Sequence, residues 1–282
     1  MAAVQPDLNS LGWKYYITGR TIKGVIEHYY LKSRRLPSND HSISFCTTVM
    51  NRFDHLKQTF LRNIEDNINY PCVEFVLLNY NCPDTRMDEW VKSELQTYLE
   101  QNKVCYYRFH DGTSQFRPSH ARNLAFRLAQ HEIVCNVDAD NFTGEGFAEY
   151  VSAMFRNKSI FLRGPIDRRG VAGRICCLKK DWERAGGYDE RFSYWGVEDS
   201  DLDGRFRLLG LQKKTILQEK YCNCILHSNE VRAQHYPVDI KTSYHANKQL
   251  EYSNRETKTV NPNGSLFGLG RVQKNFNQWI EF

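Results

Sequence analysis

From residue 42 to residue 137 the chain alternates two kinds of apolar pattern. The runs SISFCTTVM, VEFVLLNY, VCYYRFH and EIVCNV are short and nearly continuous, as strands buried on both faces are. Between them, DHLKQTFLRNIEDN, MDEWVKSELQTYLEQN and SHARNLAFRLAQ read as helices, with Asp54 placed to cap the first. This alternation predicts an α/β fold: a mainly parallel sheet with helices on both faces. Ligands of such sheets bind outside the carboxyl ends of the strands. Those ends read TTVMNR, NYNCPD and NVDAD.

After Tyr150 the pattern is less regular. SIFLRGPIDRRGVAGRICCLKK has strand-like ends around a Gly- and Arg-rich loop, and YCNCILHS is strand-like. From about Pro237 the chain turns polar, NRETKTVNPNGSLFGLG reads as loop, and NFNQWIEF is suited to dock back. Upstream, residues 1–40 are basic and aromatic, and Thr21 to Arg35 can form a helix with Ile22, Val25, Ile26 and Tyr29 on one face. That helix either packs on the main domain or serves as a membrane-surface or acceptor-docking element. LPSNDHS then reads as a linker. The expected organisation is an N-terminal extension (1–40), a catalytic domain (41–236) and a C-terminal extension packed on it (237–282).

Composition narrows the function. Lys and Arg exceed Asp and Glu by 38 to 33, a net charge of +5. That excess is too mild to argue for nucleic acid, and it suits phosphate esters or weak docking to an anionic surface. The nine cysteines are odd in number, and Cys46, Cys135, Cys176 and Cys177 lie inside apolar runs, which points to reduced, buried thiols. Cys222 and Cys224 form C-x-C, not the repeat of a zinc site. With no apolar run of signal-peptide type and no stretch of 18 apolar residues, the expected location is cytoplasmic, with peripheral membrane contact through the N-terminal segment as an option.

Two stretches carry chemistry. In NVDAD, Asp138 and Asp140 would share one face of a strand, because the side-chain period is two. Neighbouring carboxylates repel unless a cation joins them, and a hard divalent ion that keeps positions for substrate phosphates suits the pair. In GGYDERFSYWGVEDSDLDGRFRLLG, Gly186-Gly187 gives a turn, and Trp195 precedes a glycine on which it could swing. Glu198, Asp199, Asp201 and Asp203 open a helix marked by Leu202, Phe206 and Leu209. The helix dipole accounts for one or two acids there, but not for YWGVED as a unit.

These stretches resemble the GT-A nucleotide-sugar glycosyltransferases, in the family-2-like group, with a galactosyltransferase or N-acetylgalactosaminyltransferase type of C-terminal motif. TTVMNR, FVLLNYNCPD, SHARNLAF, NVDAD and GGYDERFSYWGVED carry the resemblance, over roughly residues 42–235. It implies that Asp140 is the principal metal ligand, with Asp138 on the donor's ribose or on the metal. It makes Asp199 the general base, Glu198 the acceptor contact beside it, and Trp195 a lid. Thr47 and Arg52 would lie on the donor side. Arg122, Arg163 or Arg174 would add positive charge there. A metal histidine is expected nearly thirty residues after the base, and His227 follows Asp199 by 28 positions.

Some positions depart from the family pattern. Asn79 and Tyr80 replace an acidic nucleoside contact; an Asn amide can still pair with a uracil edge, and Tyr80 could stack on it. Val197 replaces a glycine. Cys224 stands where a methionine is usual and is taken as a buried thiol. His120, His131 and His235 are left as surface or structural. The implied activity is metal-dependent, inverting transfer of a hexose or N-acetylhexosamine, with Mn²⁺ or Mg²⁺, from a UDP-sugar to a hydroxyl of a glycan or glycoconjugate. A sugar-nucleotide pyrophosphorylase would need a Gly-rich phosphate loop that TTVMNRFDH lacks. A degenerate GT-A domain that binds sugar or a partner without catalysis is the remaining alternative.

Overall fold

The computed structural model describes residues 40–167, 169–226 and 238–282. The helix expected over Thr21–Arg35, His227 and His235 lie outside the described residues.

The sheet is built around β1 (Ile43–Val49) and β2 (Val73–Tyr80), which are buried at every position. With β3 (Val104–Phe109) and β4 (Ile133–Asn136) they form a parallel core in the order β3-β2-β1-β4. The two-residue β5 (Asn141–Phe142) lies outside it. Beyond β4 the order continues with β7 (Ile175–Leu178), β6 (Ile160–Arg163) and β8 (Gln212–Thr215). β7 runs antiparallel to both neighbours, while β6 and β8 pair in parallel. On the far side, β10 (Arg271–Lys274) pairs antiparallel with β3 and β11 (Gln278–Glu281) antiparallel with β10, giving nine strands among the described residues. NFNQWIEF therefore docks back as a sheet strand.

Side-chain alternation sends β1 and β2 into two layers. Phe45 and Phe75 meet on one face, against Phe60 of α1 (Phe53–Asn67) and Phe147 of α5 (Phe147–Phe155). Trp90 of α2 (Arg86–Glu94) extends this layer by meeting Phe60. On the other face, Cys46, Val76 and Leu78 pack with Ala121, Leu124 and Ala125 of α4 (Pro118–Leu128). Cys46, Cys135, Cys176 and Cys177 are all fully buried thiols.

Local readings need four corrections. Arg52, not Asp54, holds the N-cap position of α1; Asp54 sits in the first turn, where its charge still suits the dipole. The helix read over MDEWVKSELQTYLEQN breaks at Leu95, whose backbone (φ −106°, ψ 0°) leaves helical geometry, giving α2 and a short α3 (Gln96–Glu100). Among the described residues of YCNCILHS, β9 (Asn223–Cys224) is extended and pairs with β5, while Tyr221 closes a short 3-10 turn. The polar C-terminal part holds a long helix, α8 (Ile240–Glu256), that hydrophobic periodicity does not reveal. The remaining α-helices among the described residues are α6 (Lys179–Arg184) and α7 (Glu198–Leu208).

Candidate active site

Asp138 and Asp140 do not lie on a strand. The ladder ends where the Val137 amide bonds the Cys46 carbonyl, and the chain then turns, with the Asn141 amide on the Asp138 carbonyl at 2.9 Å. Four elements fix this turn. Thr59 Oγ1 of α1 donates to the Ala139 carbonyl at 2.7 Å, and Asn63 Nδ2 to the Asn141 carbonyl at 2.9 Å. The Ile225 amide bonds the Asp140 carbonyl at 2.8 Å. Buried Arg174 donates to the Tyr221 and Phe142 carbonyls. Asn136 Nδ2 donates to both Asp138 Oδ1 and the Gly173 carbonyl, each at 2.9 Å.

The Gly-rich loop between β6 and β7 closes onto the same point. A Cβ on Gly173 would lie 2.9 Å from Asp138 Oδ2 and 3.2 Å from Asp199 Oδ2. Gly173 thus brings the backbone close to both acids, and its lack of a side chain makes the approach possible. Gly170, at φ +69°, packs on Cys224, and a Cβ there would lie 2.5 Å from the sulfur. Cys224 itself is half-buried rather than buried.

Arg122 joins the two motifs. From α4, its Nη1 donates to Glu198 Oε1 at 2.8 Å and Asp199 Oδ1 at 3.2 Å, and its Nη2 to Asp138 Oδ1 at 3.3 Å. Its guanidinium also lies over the Tyr188 ring, 5.4 Å from the centroid, an attractive cation–π geometry. Burial opposes its charge, and Asp199, Asp138 and Glu198 more than offset that, holding it firmly cationic. Burial raises Asp199 to about 7; Arg122 and Arg163 pull it down, and Glu198 and Asp138 push it up. Tyr188 is fully buried, its hydroxyl has no hydrogen-bond partner among the described residues, and burial and nearby Asp199 hold it protonated.

Of the three arginines suggested by sequence, Arg122 alone touches the acids named as functional. Arg163 is spent on Asp203, Ser200 and the Ala172 carbonyl, and Arg174 on the turn just described. Two of the four α7 acids are likewise structural. Asp201 pairs with Arg205 at 2.7 Å, and Asp203 with Arg163, Arg207 and Lys213.

The donor-side residues separate. Thr47 is buried in β1, and Arg52 lies just beyond that strand's carboxyl end. Asn79 is nearly buried; its Nδ2 donates to Tyr106 Oη at 2.9 Å, and its Oδ1 accepts from the Cys82 amide at 3.2 Å. Tyr80 is fully buried, stacked on Phe109 at 4.8 Å, with its hydroxyl bonded to His120 and Arg117. It offers no face to a nucleobase, because the strand alternation that leaves Asn79 at the edge turns Tyr80 into the core. His120 is structural, bridging Tyr80 and the Leu269 carbonyl.

Trp195 is half-buried and sits in a run of left-handed backbone: Tyr194 at φ +59°, Gly196 at +98° and Val197 at +81°. At Val197 a β-branched residue holds a backbone conformation that such residues rarely adopt and that glycine would take freely. Sequence reasoning missed Asn136 and Gly173. The neighbourhood of GVAGR to the acids could have been suspected from its glycines, but nothing in the sequence placed it there.

Residues 163–246 match a family model described as the N-terminal domain of galactosyltransferase. No curated protein sequence matches the chain. Among solved structures, a mannosyltransferase from Pyrobaculum calidifontis, in complex with GDP-Man and Mn²⁺, aligns with a TM-score of 0.56 at 14% identity, over 86% of this chain and 72% of that one. TarS residues 1–349 from S. aureus align at 0.53 and 14%, over 79% and 74%. GalNAc-T7 with UDP, GalNAc and Mn²⁺ aligns at 0.52 and 13%, over 64% of this chain and 43% of that one. At such identities these likenesses establish the fold. The chain thus has the fold of the GT-A glycosyltransferases, and its residues 163–246 are similar to a galactosyltransferase segment.

Proposed function

We propose that the chain moves a hexose or N-acetylhexosamine from a UDP-sugar to a hydroxyl of a glycan or glycoconjugate, with inversion at the anomeric carbon. The observation that carries this reading is Arg122, which gathers Asp138 of one motif and Glu198 and Asp199 of the other into one partly buried cluster. Asp199 suits the role of base. At about 7, its carboxyl is poised near neutral pH, where a base both accepts a proton and is ionised often enough to do so. It takes the proton from the acceptor oxygen as that oxygen attacks the anomeric carbon and the nucleoside diphosphate leaves. Glu198, beside it, orients the acceptor, and Arg122 keeps both carboxylates from repelling each other out of place.

The carboxylates of Asp138 and Asp140, on one turn, are hard oxygen donors and fit Mn²⁺ or Mg²⁺. Among the described residues no group of three ligands is assembled, so His227 and substrate phosphate oxygens would complete the set. When bound, the ion would neutralise the departing diphosphate. No helix among the described residues is long and apolar enough to cross a membrane. A cytoplasmic enzyme whose segment 1–40 touches a membrane surface accords with that reading.

The test is a thermal-shift screen of nucleotide sugars with Mn²⁺ or Mg²⁺, followed by NMR of an early product. A ligand at about 100 times its Kd adds about 2.7 kcal/mol to stability, so a true donor raises the melting temperature. The product's anomeric configuration should be opposite to the donor's. Retention, or the absence of any stabilising nucleotide sugar, overturns the proposal.

A further inference from the structure

Helix α8 belongs to none of the motifs that suggested function. Its buried residues are Ser243, Asn247, Glu251 and Asn254, a stripe at helical spacing with no apolar member. A helix that buries a polar stripe needs polar partners, and here many of the partners are backbone. Ser243 Oγ lies 3.0 Å from the carbonyl oxygens of both Ser193 and Trp195, and it accepts from the Trp195 amide at 3.1 Å. Asn247 Nδ2 lies 2.9 Å from the carbonyl oxygens of Ser193 and Gly196, and its Oδ1 accepts from the Ser193 amide at 3.2 Å. One turn from the helix end, Asn254 Nδ2 bridges Asp189 Oδ2 at 2.9 Å and Asp201 Oδ1 at 2.8 Å.

The segment held this way is the left-handed run from Tyr194 to Val197. Two of its three left-handed residues carry a side chain, and one of them is β-branched, so the run persists only where its surroundings impose it. The next two residues are Glu198 and Asp199. The backbone bonds thus end at Gly196, two residues before the first of the acids that meet Arg122.

We propose that Ser243 and Asn247 are positioning residues for transfer. They latch Ser193–Gly196 in its left-handed path, and so fix the angle at which Glu198 and Asp199 enter α7. The inference rests on the reading of Asp199 as the base. It adds a determinant on α8 that touches neither donor nor acceptor.

The test uses Asn247→Ala, the milder Ser243→Ala, the double variant Asn247→Ala/Val197→Gly, and Tyr252→Ala as a control at an exposed position of the same helix. Three readouts apply to each: amide hydrogen exchange over residues 193–201, the melting shift given by UDP or GDP with Mn²⁺, and kcat and KM of transfer. In Asn247→Ala, exchange should rise over 193–197 while the nucleotide-induced shift stays as in the parent. The kcat should fall by about 10-fold to 10²-fold with donor KM little changed, as expected for a misplaced base. Ser243→Ala should show the same pattern more weakly.

Adding Val197→Gly should recover part of the loss, because glycine adopts the left-handed path without a latch. Unchanged exchange at 193–197 overturns the proposal. So does exchange raised evenly along the whole chain, or a double variant no better than Asn247→Ala. A parent without transfer would defeat the assignment of function instead, and the exchange and rescue of local order would still decide whether the latch exists.

Discussion

Replacing Arg122 by Met keeps an unbranched apolar stem over Tyr188 and removes the charge. Three contacts disappear together, to Glu198 at 2.8 Å, Asp199 at 3.2 Å and Asp138 at 3.3 Å. Glu198 is the most enclosed of the partners and Asp138 the most open, with side chains 7% and 31% exposed. Water can therefore replace the guanidinium at Asp138 but not at Glu198. Breaking a buried pair by removing one partner costs about 3–5 kcal/mol, and that is the loss expected at about pH 8.

The sign with pH follows from Asp199. Its folded value, about 7, lies above the ordinary carboxylate value, so stability is undiminished at low pH and falls as pH rises through that window. Arg122 pulls the value down. Its removal raises it further and extends the losing range to higher pH. The deficit of Arg122→Met against the parent should therefore be small near pH 5 and several-fold larger near pH 8. Urea unfolding at the two pH values, with EDTA present, measures it. An equal deficit at both, or a variant as stable as the parent at the higher pH, would refute the account of the cluster.

Three further outcomes are expected. Asp199→Asn should retain nucleotide-induced stabilisation and lose about 10²–10⁴-fold in kcat, the usual loss with a general base, and full activity would move the base elsewhere. Gly173→Ala, whose Cβ would meet Asp138 Oδ2 at 2.9 Å, should depress transfer far more than melting temperature; an unaffected kcat would show that the loop yields. Tyr80→Phe removes a hydroxyl bonded to His120 and Arg117 and should cost about 1 kcal/mol, with donor KM unchanged. A shift in nucleotide preference would put Tyr80 back at the base.

Much of this was legible in the chain. VEFVLLNY reads as a strand at its observed limits because both faces are buried and its run is almost wholly apolar; the two polar side chains, Glu74 and Asn79, are buried with hydrogen-bond partners in Ser44 and Tyr106. GGYDERFSYWGVED was legible as a unit, though its geometry was not. The turn that carries Asp138 and Asp140 was hidden, because the ladder stops on a backbone bond from Val137 to Cys46 that no side-chain pattern encodes. Helix α8 was hidden for a different reason. Its buried side chains face carbonyls and carboxylates, so its burial leaves no apolar period. The direction of β7 could not be read either, since ICCL suits a parallel or an antiparallel strand equally. Tyr80 is the error that sequence alone could have prevented: Val76, Leu78 and Tyr80 share one strand face, and that face is core.

The hairpin of β10 and β11 has a bearing on solubility. Without it, β3 would end the sheet, presenting six residues of apolar backbone edge of which only Arg108 reaches solvent. Such an edge is a template for pairing with another chain. With the hairpin in place, the outermost strand is the four-residue β11, bounded by Gln278 and Glu281 and mostly exposed, and the opposite margin is β8, which carries Lys213 and Lys214. Short or lysine-bearing margins resist self-association. If this hairpin frays before the rest of the sheet, the chain would begin to aggregate while the acid cluster is still assembled, and loss of soluble protein on storage would precede loss of specific activity.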